Sequence, residues 1–445
     1  MKIKVENKTW EEVLALPRPE HRKPKKPSRI LSAVMRLASI PDLRDVKFSY
    51  TKKDMEKAGK GPWFILMNHA SFLDLEIASK VLFPKRYQIV CTTDALVGKE
   101  WLMRNLGCIP TQKFVSDMTL ISDIKHALTK NKTSVLMYPE AGYSFDGTAT
   151  TLPRRMGVLL KALSVPVVMI TTYGSFTRDP LYNNLQKRKL HVTAEMACLL
   201  TPEEMKEKSV EELDAILDQA FSFDYFRWQQ ENRIAITEPF RADGLHRIAY
   251  RCACCGQEGH MEGKGTELLC HACGAVWELD EYGVLKEKKM PSSEENAPPS
   301  FPRKHIDHVP DWYTWEREGV REELLAHTYS LDTEVDIAVL IDYKALYRIG
   351  SGTLHHDENG FVLDGCDGKL HYTQKPTESH SLNADYFWYE IGDVICIGKK
   401  DCLYYCFPKE KDVVTKTRLA VEELYKLKRA EKKKGSSKTS EDTDS

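Results

Sequence analysis

The chain alternates between short, uniformly apolar runs and longer stretches in which apolar residues recur every three or four positions. Trp63-Phe64-Ile65-Leu66-Met67, Gln88-Ile89-Val90-Cys91, Ser134-Val135-Leu136-Met137-Tyr138 and Val165-Pro166-Val167-Val168-Met169-Ile170 have strand length and almost no polar face, as expected of strands covered on both sides. Ile121 to Leu128 and Arg154 to Leu163 lie between them with helical spacing. Strands separated by helices predict an α/β domain with a largely parallel sheet. Thr201-Pro202-Glu203-Glu204 carries a capping box and a proline at the first helical position, which predicts a closing helix over 201–219.

Upstream, Ser28 is placed to cap a helix whose apolar residues Ile30, Leu31, Val34, Leu37 and Ala38 form one stripe, with Arg29 and Arg36 on other faces. Before it, His21-Arg22-Lys23-Pro24-Lys25-Lys26-Pro27 has nothing to pack. Residues 1–27 are therefore expected to form a flexible basic N-terminus and 28–240 the first domain. A cysteine-bearing unit follows at 245–285, then a linker at 286–304 rich in Pro, Ser and Glu. From 305 to 427, short alternating runs such as 335–341, 386–389, 394–397 and 403–407 are divided by turns at Asp357-Glu358-Asn359-Gly360 and Asp364-Gly365-Cys366-Asp367-Gly368. They predict a small β-rich domain, ended by a helix over 413–427, whose outline is similar to pleckstrin-homology-like barrels. The charged, Ser-rich stretch 428–445 is expected to be a disordered tail.

Basic and acidic residues nearly cancel, 64 against 65, for a net charge of -1, so any attraction to membrane or nucleic acid must be local. No run reaches the roughly 18–20 apolar residues that span a bilayer, and the first residues lack the apolar stretch of a secretory signal. These features predict a cytoplasmic protein, peripheral at the inner membrane face. The basic run and amphipathic helix are the candidate contact with an anionic membrane surface.

The strongest chemical signal is Asn68-His69-Ala70-Ser71-Phe72-Leu73-Asp74, directly after a predicted strand. Acyl transfer to a hydroxyl needs a base for the proton and a carboxylate to orient that base, and His69 and Asp74 are candidates for the two roles. The segment resembles the first conserved block of the glycerolipid acyltransferases, the family of 1-acylglycerol-3-phosphate acyltransferase. Gly107-Cys108-Ile109-Pro110-Thr111-Gln112-Lys113, Tyr138-Pro139-Glu140-Ala141-Gly142-Tyr143-Ser144 and Val165-Pro166-Val167-Val168 are similar to its next three blocks, in order.

This resemblance implies that His69 is the general base, Asp74 its partner, and that Asn68, Lys113, Pro139, Glu140, Ala141, Gly142 and Tyr143 shape the acceptor site. The donor would be a thioester, acyl-CoA or acyl-ACP, and the acceptor a lysophospholipid such as 1-acylglycerol 3-phosphate. The third block departs from the family form F-P-E-G-T-R-S: Tyr143 stands where the phosphate-binding Arg is carried. A neutral phenol cannot make the paired hydrogen bonds of a guanidinium to phosphate, and Lys113 or Arg154 is a candidate replacement. A catalytically silent lipid-binding or scaffold module, or a zinc-ribbon nucleic-acid binder, is the alternative.

Cys252-Ala253-Cys254-Cys255-Gly256 and Leu269-Cys270-His271-Ala272-Cys273-Gly274 form two C-x-x-C knuckles separated by 14 residues. This spacing fits a zinc ribbon with Cys252, Cys255, Cys270 and Cys273 as ligands of a structural Zn, and Cys254, His260 and His271 as alternates. The surrounding charges are mixed rather than basic, so nucleic acid is not an expected partner.

Overall fold

The four apolar runs become neighbouring strands of one sheet, since none has a polar face to give to water. The structure, a computed structural model, describes residues 2–115, 117–291 and 301–441. Across a seven-stranded sheet the order is Ser49–Lys53, Thr193–Leu200, Val167–Tyr173, Phe64–Met67, Ser134–Met137, Tyr87–Thr92 and Cys108–Thr111. The last five run parallel. The first two are parallel to each other and antiparallel to Val167–Tyr173, so the sheet is mixed.

Phe64, Ile65, Leu66 and Met67 are completely buried at its centre, each worth about 1.5–3 kcal/mol of transfer free energy. Alternation along that strand divides the core. Ile65 and Met67 meet Ile77, Ala78 and Val81 of the helix Leu73–Leu82. Phe64 and Leu66 meet Ile124, Leu160 and Leu213 on the opposite face.

The closing helix predicted over 201–219 is two helices, Pro202–Glu207 and Val210–Ala220. Ser209 starts the second with its own capping box to Glu212, a local hydrogen-bonding choice that competes with helix continuation.

A four-stranded antiparallel sheet, Met261–Lys264, Glu267–Cys270, Val276–Leu279 and Leu285–Lys289, follows. Its last strand takes up the start of the expected 286–304 linker, while residues 292–300 lie outside the described residues. The third unit has two antiparallel meanders, Leu331–Leu340 through Leu370–Gln374 and Asn383–Trp388 through Cys402–Pro408, joined by pairing of Leu331–Leu340 with Cys402–Pro408. Packed beside them are the helices Val309–Leu325 and Val413–Glu441.

The second of these helices replaces most of the disordered tail expected over 428–445, and residues 442–445 lie outside the described residues. Burial would raise the Glu422 carboxyl, but Arg317 and Arg418 hold it down to about 2. Arg317 reaches Glu422 at 2.7 Å, which ties the two helices together.

Residues 2–27, expected to be flexible, make defined contacts with the first and third units. Val5–Asn7 adds a parallel strand to Leu346–Asp357 of the third unit. The basic Pro-rich run then lies as a strap along the first domain, where side chains satisfy its carbonyls: Asn131 donates to Pro24 O, Gln88 to Lys25 O and Arg86 to Pro27 O. Proline has no N–H to satisfy, so an extended Pro-rich segment needs only such donors to be held.

The third unit sits against the loops at the carboxyl ends of the parallel strands. Gly98 N donates to Tyr343 O at 2.8 Å, Gln112 Nε2 to Lys400 O at 2.7 Å, and the Phe145 and Tyr386 rings lie 4.5 Å apart. In open α/β sheets those carboxyl ends are where ligands bind.

Gly107 fixes the strap's seat. It is left-handed (φ 98°), and a Cβ there would sit 2.5 Å from Pro27 Cγ and 3.1 Å from Tyr87 O. Gly107→Ala is expected to cost at least the ~1–2 kcal/mol of a left-handed non-glycine residue. An unchanged urea midpoint would show that the strap does not press on this turn.

Candidate active site and cysteine cluster

The turn from His69 to Asp74 is built by two side chains that never reach solvent. Asn68, the residue after the strand Phe64–Met67, is fully buried. Its Nδ2 donates to Thr172 O at 3.2 Å and to Tyr225 Oη at 2.5 Å, and its Oδ1 accepts from Thr172 N at 2.8 Å. These bonds clamp the strand end to its neighbour Val167–Tyr173. The sequence placed Asn68 among acceptor-shaping residues; its polar atoms are instead spent inside the protein, where they position the turn.

Asp74, also fully buried, sits in the first turn of Leu73–Leu82. Its Oδ2 accepts from three N–H groups: His69 Nδ1 at 3.1 Å, Ala70 N at 2.8 Å and Ser71 N at 3.0 Å. A buried carboxylate must be met by donors, and these three curl 69–74 into a closed loop. Below it, Ser71 bonds to the Asp179 carboxyl, which burial pushes up to about 7.

Because Nδ1 faces a carboxylate, it carries the proton, assigned from the hydrogen-bond network, and leaves the Nε2 lone pair available. The imidazole lies between Tyr138 and Tyr143, with ring centroids 4.1 Å and 4.2 Å away, and keeps 20% of its side chain exposed. Burial lowers the His69 pKa, the bond and charge of Asp74 oppose this, and Lys113 adds to the lowering. The net shift is downward, so the base is neutral near pH 7.

Glu140 is a brace rather than a surface group. It is fully buried; Oε1 accepts from His69 N at 3.0 Å and Oε2 from Thr150 N at 2.9 Å. Burial pushes its carboxyl up to about 7, against the hydrogen bonds from Thr150 and His69. Pro139 is buried beside it, while Ala141, Gly142 and Tyr143 are partly exposed. Ala141 is left-handed (φ 56°), which explains a glycine at this place in the motif it resembles.

The two candidate cations part company. Lys113 lies within electrostatic range of His69. Arg154 pairs with Asp218 at 3.0 Å and lines a separate surface cleft of about 510 Å³ with Thr148, Leu152 and Asp224. Asp218 holds Arg154 along that cleft. Sequence reasoning missed Thr172, Tyr225, Thr150 and Asp179, since each joins the turn from a distant segment and none belongs to a local pattern.

The second cluster fits its spacing. The Sγ atoms of Cys252, Cys255, Cys270 and Cys273 all lie within 4.8 Å of one another and are buried. Cys252 and Cys273 are separated by 3.7 Å and Cys255 and Cys270 by 3.8 Å. Four thiolates about 2.3 Å from one ion form a tetrahedron with edges of about 3.8 Å.

Both knuckles close alike. Cys252 N donates to Gln257 O at 2.9 Å and Gly256 N to Cys252 O at 2.8 Å; Cys270 N donates to Ala275 O at 2.9 Å and Gly274 N to Cys270 O at 2.8 Å. The histidine alternates fall away, His271 exposed and paired with Glu262 at 2.8 Å and His260 exposed, while Cys254, though buried, is not among the four grouped thiols. The group is able to hold a metal such as zinc, with all four positions filled by protein. Cys270→Ser is expected to remove bound zinc, read by metal analysis, and to lower the thermal midpoint sharply. Unchanged metal content would exclude this site.

Comparison with known proteins places the first domain. Residues 47–174 match the family model described as Acyltransferase. A solved structure, the 1-acyl-sn-glycerophosphate acyltransferase PlsC from Thermotoga maritima, is similar at 15% identity with a TM-score of 0.33, over 43% of this chain and 78% of that one. No curated protein matches. The segment 47–174, which contains the His69–Asp74 turn and the Glu140 brace, is an acyltransferase domain.

Proposed function

We propose that this protein is an O-acyltransferase that moves a fatty acyl group from a thioester, acyl-CoA or acyl-ACP, to the free hydroxyl of a lysophospholipid at a membrane surface. The observation that carries the proposal is the His69–Asp74 geometry: a neutral imidazole with a fixed tautomer, its Nε2 lone pair free, and its Nδ1 bonded to a fully buried carboxylate.

In this mechanism His69 Nε2 takes the acceptor hydroxyl proton as the oxygen attacks the thioester carbonyl carbon. Asp74 stabilises the imidazolium that forms. The tetrahedral intermediate then collapses, the C–S bond breaks, and the departing thiolate recovers the proton from His69. Asn68 and Glu140 act through the backbone on either side of His69. Zinc held by Cys252, Cys255, Cys270 and Cys273 would be structural, since four protein ligands leave no open position.

Access from a membrane is supported by the surface around the turn. On the helix Arg29–Ala38, Ile30, Val34 and Leu37 are 76%, 53% and 64% exposed. That helix packs against Leu73–Leu82 and Glu100–Leu106, whose neighbourhood exposes Phe72 at 54% and Trp101 at 73%. Arg29, exposed beside the stripe, is placed to meet anionic headgroups. Among the described residues no helix is long and apolar enough to cross a membrane.

Three experiments bear on this. Thioester consumption with lysophospholipid acceptors is expected to fall about 10²–10⁴-fold in His69→Ala, and equal turnover by the variant would sink the assignment. Because the pKa of His69 is lowered, its active neutral form persists to more acidic pH. The acid limb of kcat/KM is expected below the ordinary imidazole value of about 6.5, moving upward in Lys113→Gln as a repelling charge is removed. Separately, Ile30→Asp with Leu37→Asp is expected to abolish cosedimentation with anionic phospholipid vesicles; undiminished binding would place the membrane contact elsewhere.

A further inference from the structure

The third unit touches the acyltransferase domain where its chemistry lies. Tyr386 packs on Phe145, two residues beyond Tyr143. Lys400 bonds to Asp117 at 2.7 Å, just after the Lys113 turn. Beside the first of these anchors, Asp385 lies within electrostatic range of both Lys113 and Tyr143.

Asn383–Trp388 and Gly392–Lys399 form a hairpin of the sheet with an irregular first strand. Ladder pairing with Gly392–Lys399 slips between Asp385 and Trp388. Phe387, Tyr389 and Glu390, none of them glycine, are left-handed with φ 48°, 47° and 64°. Tyr389 and Glu390 form the two-residue turn of the hairpin, with Ile391 N donating to Trp388 O at 2.9 Å.

The side chains presented there differ in sign from the guanidinium of the motif that Tyr143 interrupts. Asp385 Oδ1 is buried without a hydrogen-bond partner among the described residues, while the carboxyl accepts from the Tyr386 backbone N–H. Burial pushes the Asp385 carboxyl up to about 6, the Lys113 charge opposes this, and Asp94 and Asp393 reinforce it. The negative charge of Asp385 is also felt at Tyr143. Aromatic surface surrounds it: Phe72 lies 5.4 Å from Tyr143, and Tyr389 from the third unit hydrogen-bonds to Asp94. One lysine, a carboxylate with an unmet oxygen and several aromatic faces form a site for an anion and a cation together. Phosphate suits Lys113, and an ammonium suits Asp385 and the rings.

We infer that the third unit completes the acceptor site, and that Asp385 selects a lysophospholipid whose headgroup carries an ammonium beyond its phosphate. The inference rests on the acyltransferase function proposed above. Asp385 meets the headgroup, and Tyr143 gives the ammonium a face where an arginine would repel it.

The experiment measures initial rates of thioester consumption by the full chain, with acyl-CoA and three acceptors: lysophosphatidate, lysophosphatidylglycerol and lysophosphatidylethanolamine. Wild type is compared with Asp385→Asn. We expect kcat/KM for lysophosphatidylethanolamine to exceed that for each of the others by at least about tenfold. Asp385→Asn should reduce that ratio about tenfold, through KM rather than kcat. Turnover without ammonium preference overturns the inference and leaves the acyltransferase function standing, as does a preference that Asp385→Asn leaves intact. Wild-type selectivity decides the matter alone if the variant does not fold. Loss of consumption with every acceptor overturns both.

Discussion

A carboxylate shut away from water must be matched by donors or be expelled, and the first domain is organised around that demand at Asp74. One oxygen collects the His69 imidazole and two consecutive backbone amides. The loop can close only if the strand before it stops at a fixed height and the helix after it starts at a fixed angle. Asn68 sets the first through Thr172 and Tyr225; Leu73–Leu82 sets the second by seating Ile77 and Val81 in the sheet's apolar face. Glu140 then holds the His69 amide from the adjacent strand's loop. Each is buried and polar, and each costs free energy unless its partner is in place, so the site is rigid as a consequence of how it is satisfied.

The other units are welded to this domain through similarly buried polar groups. Glu316 of the helix Val309–Leu325 is buried and accepts from the Arg251 amide, next to the first cysteine knuckle. Trp312 of that helix meets Trp277 of the cysteine-bearing sheet with ring centroids 5.1 Å apart. His308, buried, bonds to Asp224 at 2.7 Å, one residue before the Tyr225 that clamps Asn68. These contacts link the β-rich unit and the cysteine-bearing sheet to the Asn68 clamp.

What could be read in the sequence was local. The central strands were plain because burial on both faces removes every polar residue from them, and the His69–Asp74 turn, the Glu140 motif and the cysteine knuckles were plain because their chemistry is confined to a few consecutive residues. Edge strands such as Ser49–Lys53, mostly exposed, lack that signature and went unseen. The helix Val309–Leu325 was hidden because Trp312, Tyr313 and Trp315 read as β-type aromatics while serving as a helical core face. The strap and the N-terminal strand were hidden for a different reason: their contacts are made by backbone, and polar composition says nothing about where a carbonyl finds its donor. Asp385 belongs to the same class, a distant residue that matters only through where the fold sets it down.

The pairing of Val5–Asn7 with Leu346–Asp357 orders events in time as well as space. During synthesis the early strand leaves the ribosome well before its partner exists, and at roughly 5–20 residues per second the wait is on the order of tens of seconds. The acyltransferase sheet, all of whose strands lie before residue 201, is complete long before then. A nascent chain therefore passes through a period in which that sheet is complete but the third unit that packs against its strand ends has not yet been made.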